Sequence, residues 1–124
     1  MTIIKKILDL QLDSQNPRFF DGDKIRSEPE IIKYLLDYEE IIPLAKEIND
    51  YGGLLLGERL ICTIENEKYV VLEGNRRCTA CKLLLNPKLI PSEFKNNFPH
   101  IKKETRDNIE EAEIDIITSR DEAA

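Results

Sequence analysis

Apolar and polar residues alternate at the start of the chain and then recur at helical spacing. Residues 7–12 alternate between the two classes, which is the pattern of a half-buried strand, and the polar segment 13–17 breaks it. Residues 29–36 carry apolar side chains three and four positions apart, which predicts a helix. A second helix is predicted from Pro43 to the turn at Gly52-Gly53, because glycine readily ends a helix.

The middle of the chain predicts a β-hairpin that leads directly into a helix. The β-rich runs 59–64 and 69–72 are separated by a short polar turn. The second run ends at Glu73-Gly74, and helical spacing of apolar residues then continues until Asn86-Pro87. The order is therefore strand, glycine, helix.

The rest of the chain predicts short elements. The polar segment 91–108 indicates two short helices, and residues 114–117 indicate a last strand. Ser119 and Glu122 have capping-box spacing, so a helix is expected to begin there. We therefore expect the chain to be the N-terminal portion of a longer protein.

Length and composition favour one globular domain over residues 1–124. The chain has 124 residues, of which 41% are hydrophobic and 34% charged, which is typical of a single modest core. We expect an α+β fold in one domain, with a small mixed sheet and helices packed on it.

Cysteine usage and charge restrict the surroundings of the protein. The three cysteines form an odd set behind no signal-like leader, which favours reduced thiols and a cytoplasmic location. No apolar run is long enough to span a bilayer, so no membrane partner is expected. The net charge of −6 argues against a generic basic face for DNA, and DNA contact is expected only through missing C-terminal regions.

The segment Gly74-Asn75-Arg76-Arg77 is the candidate functional centre. A strand that passes directly into a helix leaves N–H groups pointing outward at the positive end of the helix dipole, where phosphate binds well. Arg76 and Arg77 add guanidinium charge, and Asn75 and Thr79 add hydrogen-bond donors. The alternative is that both arginines are solvated surface charges. Two cations in the first turn of a helix are, however, destabilised by the positive end of the helix dipole unless an anion neutralises them.

The run from Tyr69 to Ala80 resembles the ParB motif, in which an apolar strand passes through Gly-Glu-Arg-Arg into an alanine-containing helix. Asn16-Pro17-Arg18 resembles the first turn of that family. The segment from Leu44 to Gly53 resembles the helix and glycine turn that precede its hairpin. The resemblance to the ParB/sulfiredoxin-like superfamily covers about residues 7 to 86.

The resemblance implies a nucleotide site that takes CTP or ATP with Mg²⁺. The implied phosphate ligands are Gly74, Asn75, Arg76 and Arg77, with Thr79 in support. Asn16, Arg18, Gly52 and Gly53 would border the pocket. By the same resemblance, nucleotide binding would regulate a larger bacterial or phage protein that acts near DNA. The resemblance is also compatible with a homodimer.

Two departures from the superfamily limit what is transferred. Sulfiredoxins carry a catalytic cysteine where this chain has Asn75, so sulfiredoxin activity is not expected. ParB proteins usually carry glutamate there and have a helix-turn-helix domain that this chain lacks, which puts CTP hydrolysis in question.

An enzyme of the same superfamily is the alternative. Glu73, next to two arginines, has the chemistry of a general base in a small kinase or phosphotransferase, or of a Mg²⁺ ligand, although a simple charge partner is the plainer interpretation. A nuclease has less support because no metal-ligating carboxylate cluster stands out. A further alternative is a binding scaffold without nucleotide, whose arginines bind an acidic peptide or a nucleic-acid phosphate.

Two other features are interpreted as structural. Cys78 and Cys81 have redox or half-zinc spacing, but they fall on the apolar face of a helix without a second pair, which favours core packing. His100 stands alone in a polar stretch and is expected on the surface.

Overall fold

The computed structural model describes residues 1–16, 20–21, 24–25, 27–55 and 57–118. The described part contains helices packed on a five-stranded mixed sheet, which confirms the α+β prediction. The predicted start of a helix at Ser119 and the predicted pocket residue Arg18 lie outside the described residues. Within the described part, no helix has the length and apolar character needed to cross a membrane.

The first strand lies earlier than the alternating pattern predicted. Strand β1 spans Thr2–Lys6, a 3₁₀ helix spans Ile7–Asp9, and strand β2 covers only Gln11–Leu12. The prediction of one strand over residues 7–12 was therefore wrong for most of its length. Ile7 and Leu10 are both buried and are three residues apart, which suits a 3₁₀ turn, and the N–H of Leu10 donates to the oxygen of Ile7 at 3.1 Å.

The next elements are a small strand pair and two helices. Strands β3 (Phe20–Asp21) and β4 (Lys24–Ile25) pair antiparallel outside the main sheet. Helix α1 spans Glu28–Tyr38 and begins with a capping box between Ser27 and Glu30. Helix α2 spans Ile41–Tyr51 and ends at Gly52, which adopts a φ of 93°. Both predicted helices are confirmed.

The predicted hairpin and last strand are also confirmed. Strands β5 (Leu60–Glu65) and β6 (Lys68–Glu73) pair antiparallel across a turn in which Asn66 and Glu67 both have positive φ, which is the type I′ geometry of tight hairpins. The last strand, which we number β7 by its place in the chain, spans Glu111–Ile116 and lies between β1 and β5. The sheet order is β1-β7-β5-β6-β2, with parallel pairing of β5 with β7 and of β2 with β6.

Helix α3 (Asn75–Leu85) is the central element of the core. Eight consecutive residues, 78–85, are buried, so the helix is covered on all sides. The sheet curls around it, because its two edge strands β1 and β2 are joined by a single 3₁₀ turn. This position fixes both ends of α3 relative to the sheet.

Beyond α3 the chain forms two 3₁₀ helices, Pro87–Leu89 and Ser92–Asn97, and helix α4, Lys103–Ile109. Asn49 of α2 holds the start of α4 in place. Its side-chain amide donates to the oxygen of His100 at 3.0 Å and its side-chain oxygen accepts from the N–H of Lys102 at 2.9 Å. His100 itself is exposed in a loop, as expected.

Candidate functional site

The turn at Gly74 joins β6 to α3 without an intervening loop. Strand β6 ends at Glu73, Gly74 is the N-cap with a φ of 97°, and α3 begins at Asn75. A side chain at Gly74 would be strained in this left-handed conformation, and its Cβ would overlap the buried side chain of Leu60. The predicted order of strand, glycine and helix is confirmed, and this position requires glycine.

The first turn of α3 has unused hydrogen-bond donors. The first helical bond runs from the N–H of Cys78 to the oxygen of Gly74 at 2.8 Å. Within the described part of the chain, no side chain caps this helix and its first turn contains no acid. The N–H groups of residues 75–77 therefore point outward at the positive end of the dipole, an arrangement that accepts anions.

The guanidinium of Arg77 lies beside this helix start. Its Nη2 donates to the main-chain oxygen of Arg59 at 3.3 Å and is 3.2 Å from the place that a Gly74 Cβ would occupy. Its Nε is buried, is 3.8 Å from Oε2 of Glu58 and makes no hydrogen bond to any described residue. The guanidinium of Arg77 therefore has an N–H donor, at Nε, that has no described partner next to the uncapped turn.

Arg76 is directed at different partners. Its Nε donates to the oxygen of Glu39 at 2.7 Å, and its Nη2 lies 3.5 Å from the oxygen of Glu40. These carbonyls lie between α1 and α2, where Glu40 adopts a φ of 54° that is unusual for a residue with a side chain. Arg76 thus anchors α3 to the corner between the two helices, and its side chain is engaged by the fold.

The side chains of Asn75 and Thr79 also face inward. The amide of Asn75 donates to the oxygen of Val71 at 3.0 Å and its Oδ1 accepts from the N–H of Asp13 at 3.1 Å. Thr79 has no exposed surface, and its hydroxyl has no hydrogen-bond partner among the described residues. Asn75 is 2% exposed and its side chain satisfies the main chain of the fold, while Thr79 contributes to packing.

The structure joins Asn16 to this turn through hydrogen bonds, whereas Gly52 and Gly53 line a cavity that contains none of residues 74–77 among its described lining residues. The N–H of Asn16 donates to the oxygen of Asp13 at 3.2 Å, and Asp13 in turn bonds to Asn75, so the Asn16 turn is joined to the start of α3. Gly52 and Gly53 line a cavity of about 620 Å³. The same cavity is lined by the two residues that contact Arg77, namely Glu58 and Arg59.

The proposed base Glu73 is exposed at the end of β6, one residue before the turn. Its side chain makes no hydrogen bond or ion pair with any residue that the structure describes. In the same part of the chain, no group of three or more histidine, cysteine or acidic side chains is arranged to hold a metal ion.

The cysteine pair belongs to the core, as predicted. Cys78 and Cys81 are fully buried free thiols. Burial raises the pKa of the Cys78 thiol to about 12, against a small opposing effect of Lys82, and burial raises the pKa of Cys81 as well. Neither thiol has the low pKa of a nucleophile.

Sequence reasoning missed three residues that shape the site. Asp13 and Glu58 contact Asn75 and Arg77, but both lie in turns with no distinctive pattern. Lys82 is 3% exposed and its Nζ is 3.1 Å from Oε1 of Glu28. A single lysine inside the apolar run 80–85 was the available signal for a buried ion pair.

Comparison of the chain with protein-family models, with curated proteins and with solved structures finds no match. The resemblance to the ParB/sulfiredoxin-like superfamily therefore stays a prediction.

Proposed function

We propose that this chain binds a nucleotide through its phosphates at the Gly74 turn, and that its fold is of the ParB/sulfiredoxin-like type. CTP and ATP, each with Mg²⁺, are the proposed ligands, on the strength of the sequence motif. The proposed setting is a larger cytoplasmic bacterial or phage protein that acts near DNA.

One observation carries this proposal, namely the combination of an uncapped helix start with the guanidinium of Arg77. No described side chain caps the first N–H groups of the helix, and the Nε of Arg77, although buried, has no hydrogen bond to a described residue. The first turn of α3 is cationic, whereas the chain as a whole has a net charge of −6. A bound phosphate would satisfy both sets of donors and would remove the unfavourable contact between the cation and the dipole.

In this proposal the four predicted residues have different roles. Gly74 allows the chain to turn and leaves the approach to the N–H groups open. The N–H groups of residues 75–77 would contact phosphate oxygens, and Arg77 would contact them with its guanidinium. Arg76 acts as a positioning residue, since its donors are directed at the oxygens of Glu39 and Glu40.

The rest of the nucleotide is proposed to enter the cavity beside Gly52-Gly53, which is lined by Arg59 and three glutamates and reaches the Gly74 turn through Glu58 and Arg59. Its volume of about 620 Å³ falls in the range of small-molecule sites. Glu58 links this cavity to Arg77, because its carboxylate lies 3.8 Å from Nε. The proposal therefore requires Arg77 to exchange this weak ion pair for a phosphate when the ligand enters. Mg²⁺ would supply charge neutralisation between phosphate oxygens.

Isothermal titration of the chain with ATP, CTP, GTP and ADP, with and without Mg²⁺, tests the proposal. We expect one of the triphosphates to bind and Arg77→Ala to weaken that binding about ten- to hundred-fold, the range for a charge-assisted hydrogen bond to an anion. Arg106→Ala is the matched control, because Arg106 is an exposed arginine on α4 without an ion pair to any described residue.

Equal binding by the wild type and Arg77→Ala, or no binding of any nucleotide, would refute the proposal. The variant Glu73→Gln separates binding from catalysis. For a binding module, loss of this exposed carboxylate beside the anion leaves affinity equal or slightly higher, whereas a phosphotransferase would lose turnover.

A further inference from the structure

A second groove lies beyond the C-terminal end of α3, at the opposite end of this helix from the Gly74 turn. Its volume is about 470 Å³. Ile90 and Phe98 form part of its lining and are themselves only 5% and 6% exposed, so the groove opens onto the hydrophobic core. Lys88, Lys95 and Arg106 complete the rim of what we call the basic groove.

The charge of this rim differs from that of the rest of the chain. Among the described residues, no acidic side chain lines the basic groove. None of its three cations forms an ion pair with a described residue, whereas the exposed cations Lys33, Arg59 and Lys103 each do. In a chain with 24 acidic and 18 basic residues, three unpaired cations around one apolar depression form a local positive field.

The walls of the basic groove are held rigidly. Asn49 fixes the chain at His100 and Lys102 with two side-chain hydrogen bonds, and the hydroxyl of Thr105 donates to the oxygen of Asn49 at 3.1 Å. The start of α4, which carries Arg106, is thereby tied to α2. A preformed site loses little conformational entropy on binding.

We propose that the basic groove binds an acidic peptide segment that inserts one large apolar side chain. The apolar lining would receive that side chain, and carboxylates on either side of it would pair with Lys88, Lys95 and Arg106. The basic groove is separate from the proposed nucleotide site, because it lies beyond the far end of α3, a helix about 16 Å long, and shares no described lining residue with the cavity beside Gly52-Gly53.

Other occupants fit the groove less well. Single-stranded nucleic acid usually stacks its bases on exposed aromatic faces, and of the two described rings that line this groove Phe98 is almost fully covered and only the imidazole of His100 is exposed. A second copy of this chain would bring another net charge of −6, and the two copies would repel each other. A short acidic segment contacts the rim cations directly, and most of the remaining negative charge of the chain lies farther away and is screened by salt.

Fluorescence anisotropy with labelled synthetic peptides tests the proposal. The probe is a peptide of about ten residues with a central leucine or phenylalanine flanked by glutamates. One control peptide has glutamine in place of glutamate, and another has alanine in place of the apolar residue. We expect the probe to bind about ten-fold or more tightly than either control, and to weaken as salt rises from about 50 to 300 mM.

Variants of the protein complete the test. Lys88→Glu and Lys95→Glu should each weaken the probe about ten-fold, while Lys46→Glu, an exposed lysine of α2 outside the groove, should not. Circular dichroism confirms that each variant is folded. Equal binding of all three peptides, no effect of the groove variants, or no binding at all would overturn the proposal.

Two further measurements address the rejected occupants. Tighter binding of a single-stranded oligonucleotide than of the peptide, lost in Lys95→Glu, would overturn the proposal in favour of nucleic acid. A concentration-dependent mass in sedimentation that Lys95→Glu abolishes would overturn it in favour of a second copy. Nucleotide binding at Gly74 is measured in the same variants and should be unchanged, so the two proposals fail separately.

Discussion

Arg76 donates a hydrogen bond from Nε to the main-chain oxygen of Glu39 at 2.7 Å, across 37 residues of sequence. This bond joins the first turn of α3 to the corner between α1 and α2. Its neighbour Arg77 bonds instead to the oxygen of Arg59, next to the glycine turn. Adjacent residues on a helix are separated by about 100°, so two arginines that look equivalent in the sequence serve different purposes.

We therefore predict that Arg76→Ala lowers the free energy of unfolding by about 1–2 kcal/mol, since it leaves the oxygen of Glu39 without its charged donor. Urea denaturation measures this change. Arg106→Ala, which removes an exposed arginine without such contacts, should change stability by less than about 0.5 kcal/mol. A loss of stability as large in Arg106→Ala as in Arg76→Ala would contradict the anchoring role.

Substitutions at Gly74 and Gly57 compare the cost of backbone strain alone with the cost of backbone strain plus steric overlap of an added Cβ. Both have positive φ, at 97° and 85°, but an added Cβ would overlap Leu60 at Gly74 and would meet open space at Gly57. We expect Gly57→Ala to cost about 1 kcal/mol and Gly74→Ala about 2–4 kcal/mol. Chemical denaturation of the two variants checks the difference, and equal costs would show that Leu60 moves aside.

The elements that were predicted well are those with local causes. Helix α1 and the β5–β6 hairpin depend on apolar spacing and turn residues within a few positions of each other. The sheet order depends on contacts such as the pairing of Thr2 with Asp115, for which no local pattern exists. The 3₁₀ turn at Ile7–Asp9 was missed because apolar residues three apart were read as part of an alternating strand.

The candidate site shows the same division. The Gly74 turn was predictable because a strand, a glycine and a helix follow one another directly in the sequence. The inward direction of Asn75 was not, since its partners are the oxygen of Val71 and the N–H of Asp13, which is 62 residues away. Polar residues at a helix start suggest ligands, but the fold uses some of them to satisfy its own main chain.

The buried ion pair between Lys82 and Glu28 predicts unequal effects of removing its two partners. The side chain of Lys82 is 4% exposed and that of Glu28 is 35% exposed, and Oε1 of Glu28 also accepts from the N–H of Leu12 at 3.0 Å. Glu28→Gln leaves a buried ammonium group without its counter-charge, so we expect a loss of about 3–5 kcal/mol.

Lys82→Met should cost less than about 1 kcal/mol, because Glu28 keeps both solvent and the Leu12 N–H while methionine fills the space of the lysine stem. Unfolding in urea at neutral pH compares the two variants. The reverse order, with Lys82→Met the more damaging change, would mean that the lysine contributes through its charge rather than its packing.

The three buried thiols predict a loss of stability at alkaline pH. Burial raises the pKa of both Cys62 and Cys78 from 9.0 to about 12, and it raises the pKa of Cys81 also. Below pH 9 a thiol is protonated in both states and has no effect on stability. Between pH 9 and about 12 it ionises only in the unfolded chain, which favours unfolding.

Each thiol should lower the free energy of unfolding by up to about 1.4 kcal/mol per pH unit in this window. Urea denaturation from pH 8 upward measures how steeply the free energy of unfolding falls with pH. Cys81→Ala removes one thiol and should make that fall smaller by the contribution of a single thiol. The native protein should also resist a disulfide reagent at pH 8 and react fully once unfolded. Rapid modification of the native chain would show that a thiol is accessible and that its pKa is not raised by burial.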